Sequence, residues 1–176
     1  AVGSAALYTS NADNCTAVGY SALKFNTTGT RGTAVGSEAL EANTTGAKNT
    51  AIGYQCMTAN TTGADNTAVG AYALYTNTTG VNNVAMGQGA LENNNGGRNV
   101  AIGLGALQQN TTGSYNTAVG TYALDANTTA SENSAFGYNA MGKNTTGNYN
   151  TGIGRESLSE NTTGINNTAV GNHALS

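Results

Sequence analysis

The stretch Asn116-Thr117-Ala118-Val119-Gly120-Thr121-Tyr122-Ala123-Leu124, followed by Asn127-Thr128-Thr129, decides the fold, because the chain repeats it from end to end. The triplet Ala-Val-Gly or a close variant starts at residues 1, 17, 34, 51, 68, 85, 101, 118, 135, 152 and 169. Successive starts lie 17 residues apart, except for steps of 16 from 1 to 17 and from 85 to 101. The consensus A-V-G-x-x-A-L-x-x-N-T-T-G-x-x-N-T runs through residues 1–176 without a linker or a second domain. A fixed period of this length is the signature of a stacked repeat architecture. The array reads as a single β-solenoid and, since it begins in mid-pattern, as a segment of a longer fibre.

The columns of the repeat separate what the architecture constrains from what it leaves free. The third position is always glycine: Gly19, Gly36, Gly53, Gly70, Gly87, Gly103, Gly120, Gly137 and Gly154 in the central copies. These are the expected turn glycines, since glycine accepts φ > 0 without a Cβ clash. The second position is always apolar: Val18, Val35, Ile52, Val69, Met86, Ile102, Val119, Phe136 and Ile153. The seventh is always Leu or Met: Leu23, Leu40, Met57, Leu74, Leu91, Leu107, Leu124, Met141 and Leu158. Both columns are expected to form the structural core. All nine Tyr and nearly every charge fall in the variable columns, which are expected to face out.

Helices need apolar residues recurring at three and four, and here Thr, Val and Gly interrupt every such run. Two short extended segments per coil are predicted instead, one at Asn116 to Val119 and one at Tyr122 to Asp125, with Gly120 and the Asn-Thr-Thr-Gly block making corners. A lone coil buries one Val-type and one Leu-type side chain, far less than ordering its backbone costs. Stacking supplies the rest, through hydrogen bonds above and below and ladders of identical side chains. The fold class expected is all-β, a parallel β-solenoid (β-roll) of about ten 17-residue coils. Alanine and glycine leave its core thin, and association of chains is the usual remedy. The columns from Thr through Ala-Val-Gly carry no charge in any copy, so Ala, Gly and Thr are expected near a shared axis.

Composition excludes several function classes. Six Lys and Arg residues at a net charge of −3 cannot build the basic face that nucleic acid requires. No apolar run of membrane-spanning length is present. The single histidine, His173, lies in a variable column and reads as solvated, and the carboxylates are scattered among the coils. No enzyme, cofactor or metal site is therefore expected. Gly87 with Gly89, and Gly103 with Gly105, are the repeat's own glycine plus a variable one and no phosphate loop. Cys56 takes the small-residue column beside Met57 and is expected to be a buried small hydrophobe. Cys15 replaces a column that is usually Asn, more than two coils away, too far for an intrachain bridge. Asn-Thr-Thr sequons begin at Asn26, Asn43, Asn60, Asn77, Asn110, Asn127, Asn144 and Asn161. They read either as glycan acceptors or as a corner repeated for shape, and the second is preferred.

Repeats such as Asn116-Thr-Ala-Val-Gly-Thr-Tyr-Ala-Leu124 with Asn127-Thr-Thr resemble those of trimeric autotransporter adhesin heads and of bacteriophage tail fibres. The adhesin-head repeat is shorter and lacks the regular Asn-Thr-Thr-Gly, so the phage or environmental bacterial form is the nearer likeness. The resemblance implies a left-handed β-roll, three chains side by side, an extracellular location on a virion fibre or cell surface, and a glycan or protein receptor. The function expected is a structural or adhesive fibre segment. A self-assembling filament without a receptor is the alternative, and an ice-binding solenoid a more distant one.

Overall fold

The computed structural model describes all of residues 1–176. It contains ten strands of three residues each and no helix. They are β1 (Thr16–Val18), β2 (Thr33–Val35), β3 (Thr50–Ile52), β4 (Thr67–Val69), β5 (Val84–Met86), β6 (Val100–Ile102), β7 (Thr117–Val119), β8 (Ser134–Phe136), β9 (Thr151–Ile153) and β10 (Thr168–Val170). All lie parallel in one sheet in chain order. Each residue pairs with its own column in the next coil, so Ala17 meets Ala34 and Val18 meets Val35. Val2 extends the stack by a single bridge to Val18. This is a parallel β-solenoid with one coil per repeat.

Only one of the two expected extended segments is a strand. The segment around Tyr122 and Leu124 is a run of turns, because Tyr122 and Leu124 both sit at positive φ, 57° and 52°. Each regular coil holds three such left-handed residues: the fifth column, the Leu column, and the column of Arg31, Lys48 and Asp65. A left-handed residue other than glycine costs roughly 1–2 kcal/mol, so the stacked coils must hold it in place. They do so through the backbone. Of 120 backbone–backbone hydrogen bonds only 18 belong to the strand ladder, and the turns also bond from coil to coil. The Leu124 N–H, for example, donates to the Ala140 carbonyl at 3.0 Å.

The expected core is half right. Leu23, Leu40, Met57, Leu74, Leu91, Leu107, Leu124, Met141 and Leu158 are all buried, packed against the Ala columns that include Ala17, Ala34, Ala118 and Ala123. The second column is not in the core. Val18, Ile52, Met86, Ile102, Phe136 and Ile153 are 39% to 44% exposed, and Val35, Val69 and Val119 are half-buried. Alternation along Thr-Ala-Val leaves two choices: Ala inside, or Thr and Val inside. The lumen admits only the first. At Gly152, the one glycine in this Ala column, an added Cβ would lie 2.9 Å from Met141 Cγ and 3.0 Å from Ser157 Oγ. A branched side chain has no room there. The Ala column expected at a shared axis is thus enclosed within each coil.

Much of the remaining interior is polar. Asn26, Asn43, Asn60 and their successors form one buried ladder, in which the Asn43 Nδ2 donates to Asn26 Oδ1 at 2.8 Å and to the Gly46 carbonyl at 3.0 Å. A second ladder runs through Asn49, Asn66, Asn83, Asn99, Asn116, Asn133 and Asn150. There each Oδ1 accepts the backbone N–H of the next Asn, as from Asn133 to Asn116 at 3.0 Å. Both ladders converge on the corner carbonyls: Ala130 O accepts from Asn116 at 2.8 Å and from Asn127 at 3.0 Å. Buried amides are tolerable only when so satisfied.

The turn glycines behave as expected, with φ from 122° to 142° between Gly19 and Gly154. A Cβ on Gly120 would also run into the carbonyl of Gly137 in the next coil. The short copy between Leu91 and Ala101 is absorbed at its corner, and β5 and β6 pair in register. Asn95 makes this possible. Its Oδ1 accepts Thr78 N at 2.8 Å, Thr78 Oγ1 at 2.7 Å and Thr79 N at 3.4 Å. In neighbouring coils a backbone carbonyl takes that place, as Thr61 O does for Thr44 and Thr45.

Candidate assembly face

The strand gives the rod one face unlike the others. Alternation sends Thr16, Thr33, Thr50, Thr67, Thr117 and Thr151 outward together with the Val column, while the Ala between them points in. Val84 and Val100 take the Thr position in β5 and β6, so that level of the face is wholly apolar. The result is two parallel ladders, one of hydroxyls and one of branched or large apolar side chains, repeated at the strand spacing of about 4.8 Å. Neither ladder contains a charge. An apolar column exposed along a surface is a candidate for burial against another molecule.

The rest of the surface is of a different character. Lys24–Glu41, Lys48–Asp65 and Lys143–Glu160 pair within single columns at 3.6, 3.5 and 2.8 Å. As surface pairs each contributes at most about 1 kcal/mol. Seven of the nine Tyr are exposed, and Tyr54, Tyr72 and Tyr75 stand edge to face with ring centroids 5.5 and 5.6 Å apart. Lys24 lies over Phe25 and Arg98 over Tyr115. Apart from Tyr72–Tyr75 and Lys24–Phe25, which lie within one coil, these contacts link neighbouring coils on the outside.

The other residues singled out by sequence fall as follows. Cys56 is buried, and burial pushes its thiol up to about 12. Cys15 faces inward at the foot of the second Asn ladder, its Sγ 3.3 Å from the Gly29 carbonyl. His173 is exposed, with Nδ1 3.0 Å from Glu156. The sequon Asn amides are the rungs of the first ladder: the Asn43 nitrogen has both hydrogens engaged and is buried. A glycan there would require the corner to be undone. The Asn-Thr-Thr-Gly block is a structural corner.

The fold and its columns define a β-solenoid repeat protein. No protein-family model matches the chain, and no curated protein or solved structure matches it.

Proposed function

We propose that the chain is a segment of an extracellular structural or adhesive fibre in which three parallel copies pack in register along the Thr-Val face. The outward Val column is the observation that carries this reading. An uncharged ladder of eleven apolar side chains, from Val2 to Val170, is matched in period and direction by a second copy of itself. In-register packing about a threefold axis brings like residues together, and columns without charge meet there without repulsion. The residues at the axis are then Val and Thr, with Tyr and the ion pairs on the outer surface. The likeness of the repeat to adhesin heads and phage tail fibres supports the same arrangement, together with receptor binding by the outer columns.

Mass measurement in solution tests it. A trimer is expected, and Val119→Lys should release folded single chains, because the side chain points out of the coil. A stable monomer of the unaltered protein at high concentration would defeat the proposal. One observation favours a second reading. Hydroxyl and methyl groups repeat along this face from coil to coil, except at Val84 and Val100, an arrangement suited to ordering an ice surface. Single chains that inhibit ice growth, and lose that property in Thr117→Lys, would establish it in place of the fibre.

A further inference from the structure

The short coil carries a chemistry that no other coil shares. Asn95-Gly96 is the one Asn-Gly pair in the chain. A glycine after asparagine leaves the following nitrogen unshielded, because there is no Cβ beside it. Most other asparagines are buried in the two ladders with their amides engaged, whereas Asn95 is exposed. Its amide is held in an unusual way. Oδ1 accepts from two backbone N–H groups and one hydroxyl, of Thr78 and Thr79. Two N–H donors at one atom also establish which end of the amide is oxygen. Asn95 Nδ2 donates to no group in the protein. The Gly96 N–H is free as well, like those of Gly80, Gly147 and Gly164 in the same column, whereas Gly29, Gly46, Gly63 and Gly113 donate to a threonine carbonyl.

We propose that Asn95 is a self-modification site, at which the folded coil promotes cyclisation of its own backbone. The Gly96 nitrogen attacks Asn95 Cγ and loses its proton. The Cγ–Nδ2 bond breaks and the amide leaves as ammonia, giving a five-membered succinimide. Water then opens the ring at either carbonyl, to aspartate or to isoaspartate. No oxidant or reductant is involved. In the tetrahedral intermediate the negative charge develops on Oδ1, and the three donors from the coil below already point at that atom. Preorganised donors of this kind lower the barrier to acyl transfer. Both the nucleophile and the leaving group are free of hydrogen bonds that would have to break first.

The products suit the coil. An aspartate at 95 keeps an acceptor oxygen for Thr78 and Thr79. An isoaspartate adds one backbone carbon to a coil that is one residue short of the regular 17. The rod is expected to survive the reaction with an added negative charge.

The test is incubation of the folded protein at mildly alkaline pH, with peptide mass mapping and enzymatic methylation of isoaspartate. Asn95 should convert before every other asparagine, with the circular dichroism unchanged. Thr78→Val, which keeps the shape and removes one donor, should slow conversion roughly tenfold, less than loss of a donor costs in a closed active site. Asn95→Thr, which restores the consensus residue, should be inert and folded. Conversion of Asn95 in urea-unfolded chain but not in folded chain would overturn the proposal. So would equal rates for Thr78→Val and the unaltered protein.

Discussion

Truncating Asn116 to alanine should lower stability by about 2–4 kcal/mol, a magnitude set by what its amide touches. The side chain is fully buried. Its Nδ2 donates to the Ala130 carbonyl at 2.8 Å, and its Oδ1 accepts the Asn133 N–H at 3.0 Å. The two losses are unequal. Ala130 keeps a second donor in Asn127 at 3.0 Å, so that end costs one ordinary hydrogen bond, about 0.5–1.5 kcal/mol. The Asn133 N–H has no other acceptor and lies in an interior closed to water. It bears the penalty of a buried orphan donor, about 1–3 kcal/mol. Urea unfolding at one fixed chain concentration, followed by circular dichroism, reads the difference. With a slope of about 2 kcal/mol per molar, the midpoint should fall by roughly 1–2 M. An unchanged midpoint would refute the view that the ladder holds the coils together. Asn116→Asp adds a check on polarity. Its carboxylate can still accept from Asn133 but opposes the Ala130 carbonyl, oxygen against oxygen. Buried with no cation beside it, the new carboxyl should titrate higher in the folded state than in the unfolded. The damage should therefore be full near neutrality and fade as pH falls through that raised value. Damage that ignores pH would contradict the assignment of donor and acceptor.

Leu124→Ile keeps the volume but places a β-branched side chain at φ 52°, and should cost about 1–3 kcal/mol, against less than about 1.5 for Leu124→Met. Thermal melts of the two variants decide this, and equal losses would remove backbone strain from the account. Gly120→Ala should prevent the coils on either side from stacking, since the new methyl meets the Gly137 carbonyl. A soluble variant with the parent's spectrum and melting point would show that the coils separate easily. Asp125 has an Oδ1 buried without a partner, and burial raises its carboxyl above the ordinary range. Its folded state is thus favoured below the unfolded value and loses that advantage as pH rises through the folded one. Asp125→Asn should stabilise the rod near neutrality and make no difference in acid; a gain that persists in acid would contradict this.

The period of the sequence was enough to read the coil, the stacking and the Leu column. It was not enough to choose the face of the strand. Thr117-Ala118-Val119 alternates either way, and hydrophobicity alone prefers Val119 inside. What decides is lumen width, set by Leu124 and the two asparagine ladders, which a single column does not reveal. The ladders were hidden for a related reason. Asn127 in Asn-Thr-Thr looks like a surface corner, and becomes a core residue only because Asn110 and Asn144 stand below and above it. The left-handed residues did leave a trace. In a chain rich in Thr, the columns of Leu124, of Tyr122 and of Tyr115 contain not one β-branched residue. Branching at Cβ is what that conformation tolerates least, and Leu or Met in place of Ile or Val was the sign of it.

The coil-to-coil hydrogen bonds have a mechanical consequence. They run along the rod, as from Leu124 to Ala140, while the strands lie across it. Tension on the two ends therefore loads the coil junctions in series and not in shear. The weakest junction opens alone, and the polypeptide still spans the gap. Each opened coil of 17 residues releases a contour of roughly 55–60 Å at full extension. A pulled rod should lengthen in equal steps, one coil at a time, and each step should reverse when the load is removed, because the released segment remains tethered beside its template.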